Sequence, residues 1–291
     1  MTLPQIDFDR EKQWWDAKAA REEVDFADAR INRELRWREL EKHLSGIKTI
    51  LDVGGSTGAF AIPLAQRGFD VTLLDISPAM LELARQKAKS VGLERLHIVE
   101  GNAADLSIFP DHSFDLVLNM DGAISFCGSQ ALQAIKESCR VCRRKLIITV
   151  SHRAQMAGVL VSSSIKVLGH VGDAAEHMLK QGEWHQEQFA ENTILSMGMT
   201  QNYMGSLRAF LPGELRQFLN EHGMKILRCG GLGSLANFCG SETIEAVMKN
   251  EQQFQKFLDY CEYYDLEVLP DGPGTRQRAG LIAVAEVVEP S

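Results

Sequence analysis

The sequence lacks a hydrophobic run long enough to cross a bilayer. Its strongly apolar stretches, such as Lys145–Val150 and Leu281–Val288, are far shorter than the roughly 20 residues of a transmembrane helix. The N-terminal segment carries Asp7, Asp9 and Glu11 and has no apolar core followed by a small-residue cleavage site, so no secretory signal is expected. The sequence therefore predicts a cytoplasmic protein without a membrane partner.

Basic residues are too few for a nucleic-acid surface. The 291 residues include 31 Lys and Arg against 39 Asp and Glu, which gives a formal net charge of −8. Neutralising a phosphate backbone requires a basic face, and the chain has no long run of Lys and Arg. We expect a small-molecule partner, no nucleic acid, and a monomer or homodimer.

Cysteine is scarce as well, with six residues in the chain. This number is too small for a disulfide scaffold and fits reduced thiols. Cys139 and Cys142 form a CxxC pair at the end of a helical stretch, but no second CxxC and no nearby histidine pair completes a zinc site. We interpret the pair as core packing and predict no metal site.

From Ile47 onward, short aliphatic runs alternate with amphipathic stretches, which is typical of a parallel sheet with crossover helices. Seven strands are predicted: Thr49–Val53, Asp70–Leu74, Leu96–Val99, Phe114–Asn119, Lys145–Ser151, Lys225–Arg228 and Leu281–Val288. Crossover helices are predicted over Thr57–Arg67, Ser77–Val91 and Gln130–Cys142. In the second helix, Ser77 is the expected N-cap, and the following proline suits the first helical position.

Three segments lie outside this alternation. They are an N-terminal helical arm over residues 1–45 and two inserts, at about 153–211 and 232–278, within a main domain over residues 46–291. Inserts of this length are usually lids or functional loops, so we expect a mostly helical cap over the carboxyl ends of the strands. Aromatic residues in these segments, among them Trp14, Trp15 and Trp184, are interpreted either as cap packing or as a cover for a substrate.

The most specific motif is ILDVGGSTG, which begins at Ile50 and ends at Gly58. Its glycines let the backbone approach a ligand closely, and the helix that follows offers unpaired N–H groups. The glycine spacing does not match the dinucleotide fingerprint G-x-G-x-x-G, and no Lys-Ser/Thr pair closes a phosphate loop. Neither a nicotinamide dinucleotide nor a triphosphate is therefore expected.

Polar residues also follow the next three predicted strands. Asp75 ends the second strand, where a carboxylate can accept hydrogen bonds from both hydroxyls of a ribose. Asn102 and Ala103 follow the third strand, and Asn119 and Met120 lie at the end of the fourth. Because the carboxyl ends of parallel strands share one edge of the sheet, these loops should converge on one crevice suited to a nucleoside.

Together these motifs resemble the class I S-adenosylmethionine-dependent methyltransferases, and within them the small-molecule branch that includes the ubiquinone/menaquinone-type enzymes. The resemblance covers residues 47–151 closely and 209–228 more loosely, through DVGGSTG, LLDISPAMLELAR, GNAADL, FDLVLNMD and FLPGELRQFLNEHGMKIL. It implies a Rossmann-like α/β fold whose seven-stranded sheet has the order 3-2-1-4-5-7-6, with strand 7 antiparallel. The chain departs from the family pattern at Ser56, where glycine is usual, and at Asn102, where aspartate is common.

The resemblance also implies that the cofactor is S-adenosylmethionine. Its methionine part would lie against the glycine turn, its ribose on Asp75, and its adenine beside Met80. The full set of implied cofactor contacts is Asp52, Gly54, Gly55, Ser56, Gly58, Asp75, Ile76, Met80, Asn102, Ala103, Asn119 and Met120.

The expected reaction is in-line methyl transfer to a small organic molecule, with oxygen, nitrogen, carbon or sulfur as the acceptor atom. Alignment and exclusion of water can supply most of the catalysis. A hydroxyl acceptor would also benefit from a general base, for which the candidates are His152, His185 and Asp121. The alternative is an S-adenosylmethionine-binding protein of the same fold with a non-methyltransferase activity or a non-catalytic regulatory role.

Overall fold

The computed structural model describes residues 5–19, 27–93, 95–120, 122–188, 205–275 and 280–288. Its main sheet has seven strands: β1 Thr49–Val53, β2 Asp70–Asp75, β3 Leu96–Glu100, β4 Phe114–Asn119, β5 Cys142–Val150, β8 Met224–Gly231 and β9 Leu281–Val287. The strand order is β3-β2-β1-β4-β5-β9-β8, and β9 runs antiparallel to both of its neighbours. The predicted order, with the last strand inserted antiparallel, is therefore confirmed.

Helices cover both faces of this sheet. They are α1 Phe8–Lys18, α2 Ala27–Glu41, α3 Ala61–Gln66, α4 Pro78–Ser90, α5 Ala123–Phe126, α6 Ala131–Val141, α7 Arg153–Leu168, α8 Asp173–Gln181, α9 Pro212–Glu221, α10 Ser241–Met248 and α11 Glu251–Tyr263. Short 3₁₀ helices span Gly128–Gln130 and Ser234–Phe238, and a π-helical turn spans Tyr264–Val268.

The central strands β1 and β4 are buried on both faces, which explains why most of their residues are apolar. In β1, Ile50 packs in one layer of the core, whereas Leu51 and Val53 pack in the other. All six residues of β4 are buried. A parallel sheet that is covered by helices on both sides requires this pattern, because alternate side chains point to opposite faces.

The first crossover helix is shorter than predicted. Helix α3 begins at Ala61, not at Thr57, because the chain still turns at Gly58, which has φ +87°. The second crossover helix confirms the predicted start, since Ser77 Oγ accepts a hydrogen bond from Met80 N at 3.2 Å and Pro78 is the first helical residue.

The first insert contributes α7, α8 and a two-stranded ribbon, formed by β6 Glu183–Trp184 and β7 Leu207–Arg208. These elements enclose a small core of their own around Leu160, Met178 and Trp184. Residues 189–204 of this insert lie outside the described part of the chain.

The second insert packs mainly against α2. Arg38 on α2 donates to Asp259 at 2.7 Å and to Glu262 at 2.6 Å on α11, and Arg30 pairs with Glu251 at 2.9 Å. Together, α2, α10 and α11 contribute to one core layer on a single face of the sheet. Across the described ranges, no helix combines the length and apolar character needed to span a membrane. Those same ranges contain no group of His, Cys, Asp and Glu side chains arranged to bind a metal ion.

Candidate active site

The glycine turn lies at the carboxyl edge of the sheet, between β1 and α3. The N–H groups of Gly54 and Gly55 both donate to Leu74 O, at 2.7 and 3.1 Å, which joins the turn to the end of β2. Gly54 has φ +69°, and a Cβ placed on it would lie 2.2 Å from Ala123 Cβ. Ser56 has φ +50°, in the left-handed region that favours glycine.

Asp75 is fixed beside this turn. Its Oδ2 accepts a hydrogen bond from Ser56 N, and its Oδ1 accepts one from Ser77 N, both at 2.9 Å. The residue is 8% exposed, so both hydrogen bonds are largely shielded from solvent. The carboxylate is therefore oriented by two backbone N–H groups, one in the glycine turn and one at the start of α4.

The residues expected around an adenine lie on the same side. Met80, on the first turn of α4, is buried, and its Sδ accepts from Ser56 Oγ at 3.2 Å, while Ile76 is half-buried. Asn102 Oδ1 accepts from Ala104 N at 2.9 Å and thereby closes the turn after β3. The side-chain oxygen of Asn102 is thus bonded within its own loop, whereas its amide NH₂ is a separate donor group that suits the predicted contact with the adenine edge.

The end of β4 supplies a buried amide. Asn119 is fully buried, and its Nδ2 donates to Val53 O at 3.0 Å. Among the residues that the structure describes, no donor reaches Asn119 Oδ1. Asp52 and Met120 are also almost fully buried at this edge. A buried amide oxygen without a donor is costly unless a ligand or water supplies one.

His152 lies at the predicted place directly after β5, but both of its ring nitrogens make hydrogen bonds. Nδ1 accepts from Ala154 N at 3.1 Å and so caps the start of α7, and Nε2 lies 3.2 Å from Asp271 O. This network assigns the proton to Nε2, and burial lowers the pKa of the imidazole, which favours its neutral form. The geometry gives His152 a capping role.

His185 is buried in the first insert, directly after β6. Its Nδ1 accepts from Glu187 N at 3.2 Å, and burial lowers its pKa. Asp121, the third candidate for a base, lies outside the described residues.

Helix α1 adds residues that no sequence motif identified. Asp16 contacts the N-terminal end of α4, and the ring of Trp15 lies 5.0 Å from that of Phe126, centroid to centroid. The sequence drew attention to Trp15 only as one of several peripheral aromatic residues. Nothing in the pattern of the arm predicts which core residues Asp16 contacts.

Cys139 and Cys142 face the core, as expected for packing residues. Both are buried, and burial raises the pKa of each thiol to about 12. A thiol with such a pKa is almost entirely protonated near neutral pH and is a poor nucleophile and metal ligand.

This fold and this edge define an α/β protein of the Rossmann-like class, in which ligands bind at the carboxyl ends of the strands. Residues 50–145 match a family model described as a methyltransferase domain. The relatives include the ubiquinone/menaquinone biosynthesis C-methyltransferase of Zymomonas mobilis, 47% identical over 66 residues, which are 23% of this chain and 27% of that protein. They also include the demethylmenaquinone methyltransferase of Thermus thermophilus, 37% identical over 113 residues, covering 37% of this chain and 50% of the relative.

A phosphatidylethanolamine N-methyltransferase of Cereibacter sphaeroides is 30% identical over 139 residues, which are 47% of this chain and 67% of that protein. The chain belongs to the class I S-adenosylmethionine-dependent methyltransferases. It nevertheless spans only about a quarter to a half of the two quinone methyltransferases above.

Solved structures show the same fold over nearly the whole chain. The [4+2]-cyclase SpnF has a TM-score of 0.58 and 17% identity, covering 99% of this chain and 98% of that one. A magnesium protoporphyrin IX methyltransferase from Synechocystis with bound SAH has a TM-score of 0.54 and 16% identity, with 97% and 100% coverage. At such identities the likeness concerns the fold and not the reaction.

Proposed function

We propose that this protein binds S-adenosylmethionine at the carboxyl edge of its sheet and transfers the methyl group to a small organic molecule. The observation that carries the proposal is the Asp75 carboxylate, which is oriented by Ser56 N and Ser77 N beside a glycine turn. Family membership supports the cofactor, and the geometry supports where its ribose would bind.

The residues at this edge fit the cofactor. Asp75, oriented by Ser56 N and Ser77 N, is the proposed ribose contact, and Ile76 and Met80 would flank the adenine. Asn119 Oδ1 is a buried acceptor that suits the ammonium group of the methionine part. The turn at Gly54 passes so close to Ala123 that a side chain would not fit, which leaves the backbone itself to face a ligand. Asp52, Gly55, Ser56, Gly58, Asn102, Ala103 and Met120 complete the proposed contacts.

When bound, S-adenosylmethionine supplies a methyl group activated by a positively charged sulfur. The chain's own residues then have to align the acceptor with that methyl group and exclude water. Met120 and Phe126 can form an apolar wall, because both lie on the segment that follows β4. For an acceptor that must lose a proton, His185 and Asp121 are the proposed bases. His185 Nδ1, like His152 Nδ1, accepts from a backbone N–H, so it must release that bond before it can take a proton.

We propose a small acceptor because the net charge of −8 does not favour a polyanion. The relatives are named as C-methyltransferases and as an N-methyltransferase, so the acceptor atom differs within the group. The proposed setting is the cytoplasm, which six unpaired cysteines support.

A second candidate function is a non-methyltransferase activity on the same fold. The likeness to a [4+2]-cyclase over nearly the whole chain favours keeping it. Transfer of a labelled methyl group from S-adenosylmethionine to a small metabolite separates the two, because only the first function moves the label.

Isothermal titration calorimetry tests cofactor binding directly. We expect wild-type protein to bind S-adenosylmethionine and S-adenosylhomocysteine but not NAD. Asp75→Ala should weaken this binding by roughly 1.5–3 kcal/mol, because hydrogen bonds to a charged acceptor are lost. Asp70→Ala is the matched control, since Asp70 begins the same strand at the opposite edge and is exposed. Equal affinities for both variants and the wild type would contradict the proposed site.

A further inference from the structure

Helix α1 is attached to the side of the site where the adenosine would bind. Asp16 Oδ1 accepts hydrogen bonds from Ser77 Oγ at 2.5 Å and from Ala79 N at 3.1 Å, both at the start of α4. One turn earlier on the same helix, Lys12 forms an ion pair with Glu100 at the end of β3. These contacts hold α1 over the carboxyl ends of β2 and β3.

The same helix also contacts the other side of the glycine turn. The rings of Trp15 and Phe126 pack nearly perpendicular, at 85°, with centroids 5.0 Å apart. Glu11 Oε1, one turn before Trp15, accepts from Ser206 N at 3.0 Å. Phe126 ends α5, the short helix that follows β4.

The strand order shows where these contacts place α1 relative to the glycine turn. Strand β1 lies between β2 and β4, and the glycine turn extends from its carboxyl end. A helix that contacts the start of α4 on one side and α5 on the other must therefore cross above that turn. Trp15 lies on the inner face of this helix, because its ring packs on Phe126 and Glu11, four residues earlier on the same face, is buried and bonded to Ser206 N.

Ser77 connects this helix to the proposed ribose site. Its N–H donates to Asp75 Oδ1, its hydroxyl donates to Asp16, and its Oγ accepts from Met80 N. The carboxylates of Asp75 and Asp16 thus both bind one fully buried serine, through its N–H and its hydroxyl respectively.

We propose that Asp16 is a positioning residue that couples cofactor binding to the docking of α1, and that this docking sets Trp15 against Phe126 as a wall of the acceptor pocket. The inference rests on the proposed function, because it requires a nucleoside at Asp75. It assigns Asp16 no contact with the reacting atoms.

Thermodynamic linkage makes the coupling measurable from both directions. If the ligand stabilises docked α1 by some factor, then docking of α1 strengthens ligand binding by the same factor. The probe is S-adenosylhomocysteine. We expect it to slow amide hydrogen exchange in residues 8–18 of the wild type by about tenfold, which is a typical coupling strength.

The variants are Asp16→Ala, Asp16→Asn and, as control, Asp9→Ala, an exposed carboxylate on the same helix. In Asp16→Ala we expect the ligand-induced protection to disappear and the dissociation constant of S-adenosylhomocysteine to rise by about the same tenfold factor. Asp16→Asn keeps an acceptor oxygen and should lose only part of both effects, and Asp9→Ala should match the wild type. Asp16→Asn also serves if the alanine variant does not fold.

A purely structural role for Asp16 predicts a different result. Exchange in residues 8–18 would then accelerate equally with and without the ligand, and the dissociation constant would not change, which overturns the inference while leaving the cofactor site intact. Failure of the wild type to bind S-adenosylhomocysteine would instead overturn the proposed function, and the coupling with it.

Discussion

The close approach of the glycine turn to α5 predicts that Gly54→Ala damages both stability and ligand binding. Gly54 has φ +69°, and the added methyl group would lie 2.2 Å from Ala123 Cβ. Carbon atoms in contact are normally about 3.5–4.0 Å apart. Ala123 has no rotatable side chain with which to move aside, so the backbone of the turn or of α5 must shift.

Two terms set the size of the effect. An L-residue in the left-handed region costs roughly 1–2 kcal/mol, and insertion of a methyl group into a filled space costs typically about 1–3 kcal/mol more. Gly92→Ala isolates the first term, because Gly92 has a nearly equal φ of +65° and no heavy atom lies within 4 Å of the position of its Cβ. Gly54→Ala should therefore be less stable than Gly92→Ala by about 1–3 kcal/mol.

Urea unfolding, followed by circular dichroism, measures the difference in unfolding free energy between the two variants. Calorimetric titration with S-adenosylhomocysteine should then show about tenfold or greater weakening for Gly54→Ala and wild-type affinity for Gly92→Ala, since only the first displaces the turn beside Asp75. Equal stabilities and equal affinities of the two variants would refute the reasoning, because the overlap with Ala123 would then have no energetic consequence.

Two further predictions concern buried ionisable groups. Asparagine is a good N-cap but cannot act as a base, so His152→Asn should retain both folding stability and any methyl-transfer rate. His152→Ala should lose about 1–2 kcal/mol of unfolding free energy and keep the rate. A rate lowered about 100-fold in both variants would show instead that His152 is the base. Glu39 is 4% exposed, and although burial opposes its ionisation, the hydrogen bond from His43 and the charges of Arg228 and Lys42 lower its pKa from 4.5 to about 2. A depressed carboxyl pKa stabilises the fold above about pH 4.5, and this contribution, about 3 kcal/mol, is lost as the pH falls towards about 2. Urea unfolding between pH 7 and pH 3 should therefore show a steeper loss of stability for the wild type than for Glu39→Gln, and parallel curves would contradict the assignment.

Most of the sheet could be predicted because its strands are buried on both faces. The predicted bounds of β1 and β4 agree with the structure, since most interior positions there hold apolar side chains. Strand β5 begins three residues before the predicted Lys145, at Cys142. The polar residues at its start conceal the strand in the sequence, although Arg143 forms a close ion pair with Asp115, at 2.6 Å, on the adjacent strand.

In the candidate site, too, some features follow from local sequence pattern and others depend on long-range contacts. The meeting of Asp75, Asn102 and Asn119 at one edge follows from parallel strands alone, so local pattern was sufficient to predict it. The contact between Asp16 and Ser77 joins residues 61 positions apart through one hydroxyl, and no periodicity encodes it.

His152 illustrates why position in a fold does not settle chemical role. The sequence placed it correctly at the end of β5, where a base could serve an acceptor. At that same place a helix begins, and the first N–H groups of a helix also require an acceptor. A single lone pair on Nδ1 cannot accept from Ala154 N and remove a substrate proton at the same time, and the structure commits it to the helix. At this edge, the N–H groups at the start of a helix and the proton of a substrate can therefore need the same acceptor atom. Only the atomic contacts show which of the two it serves.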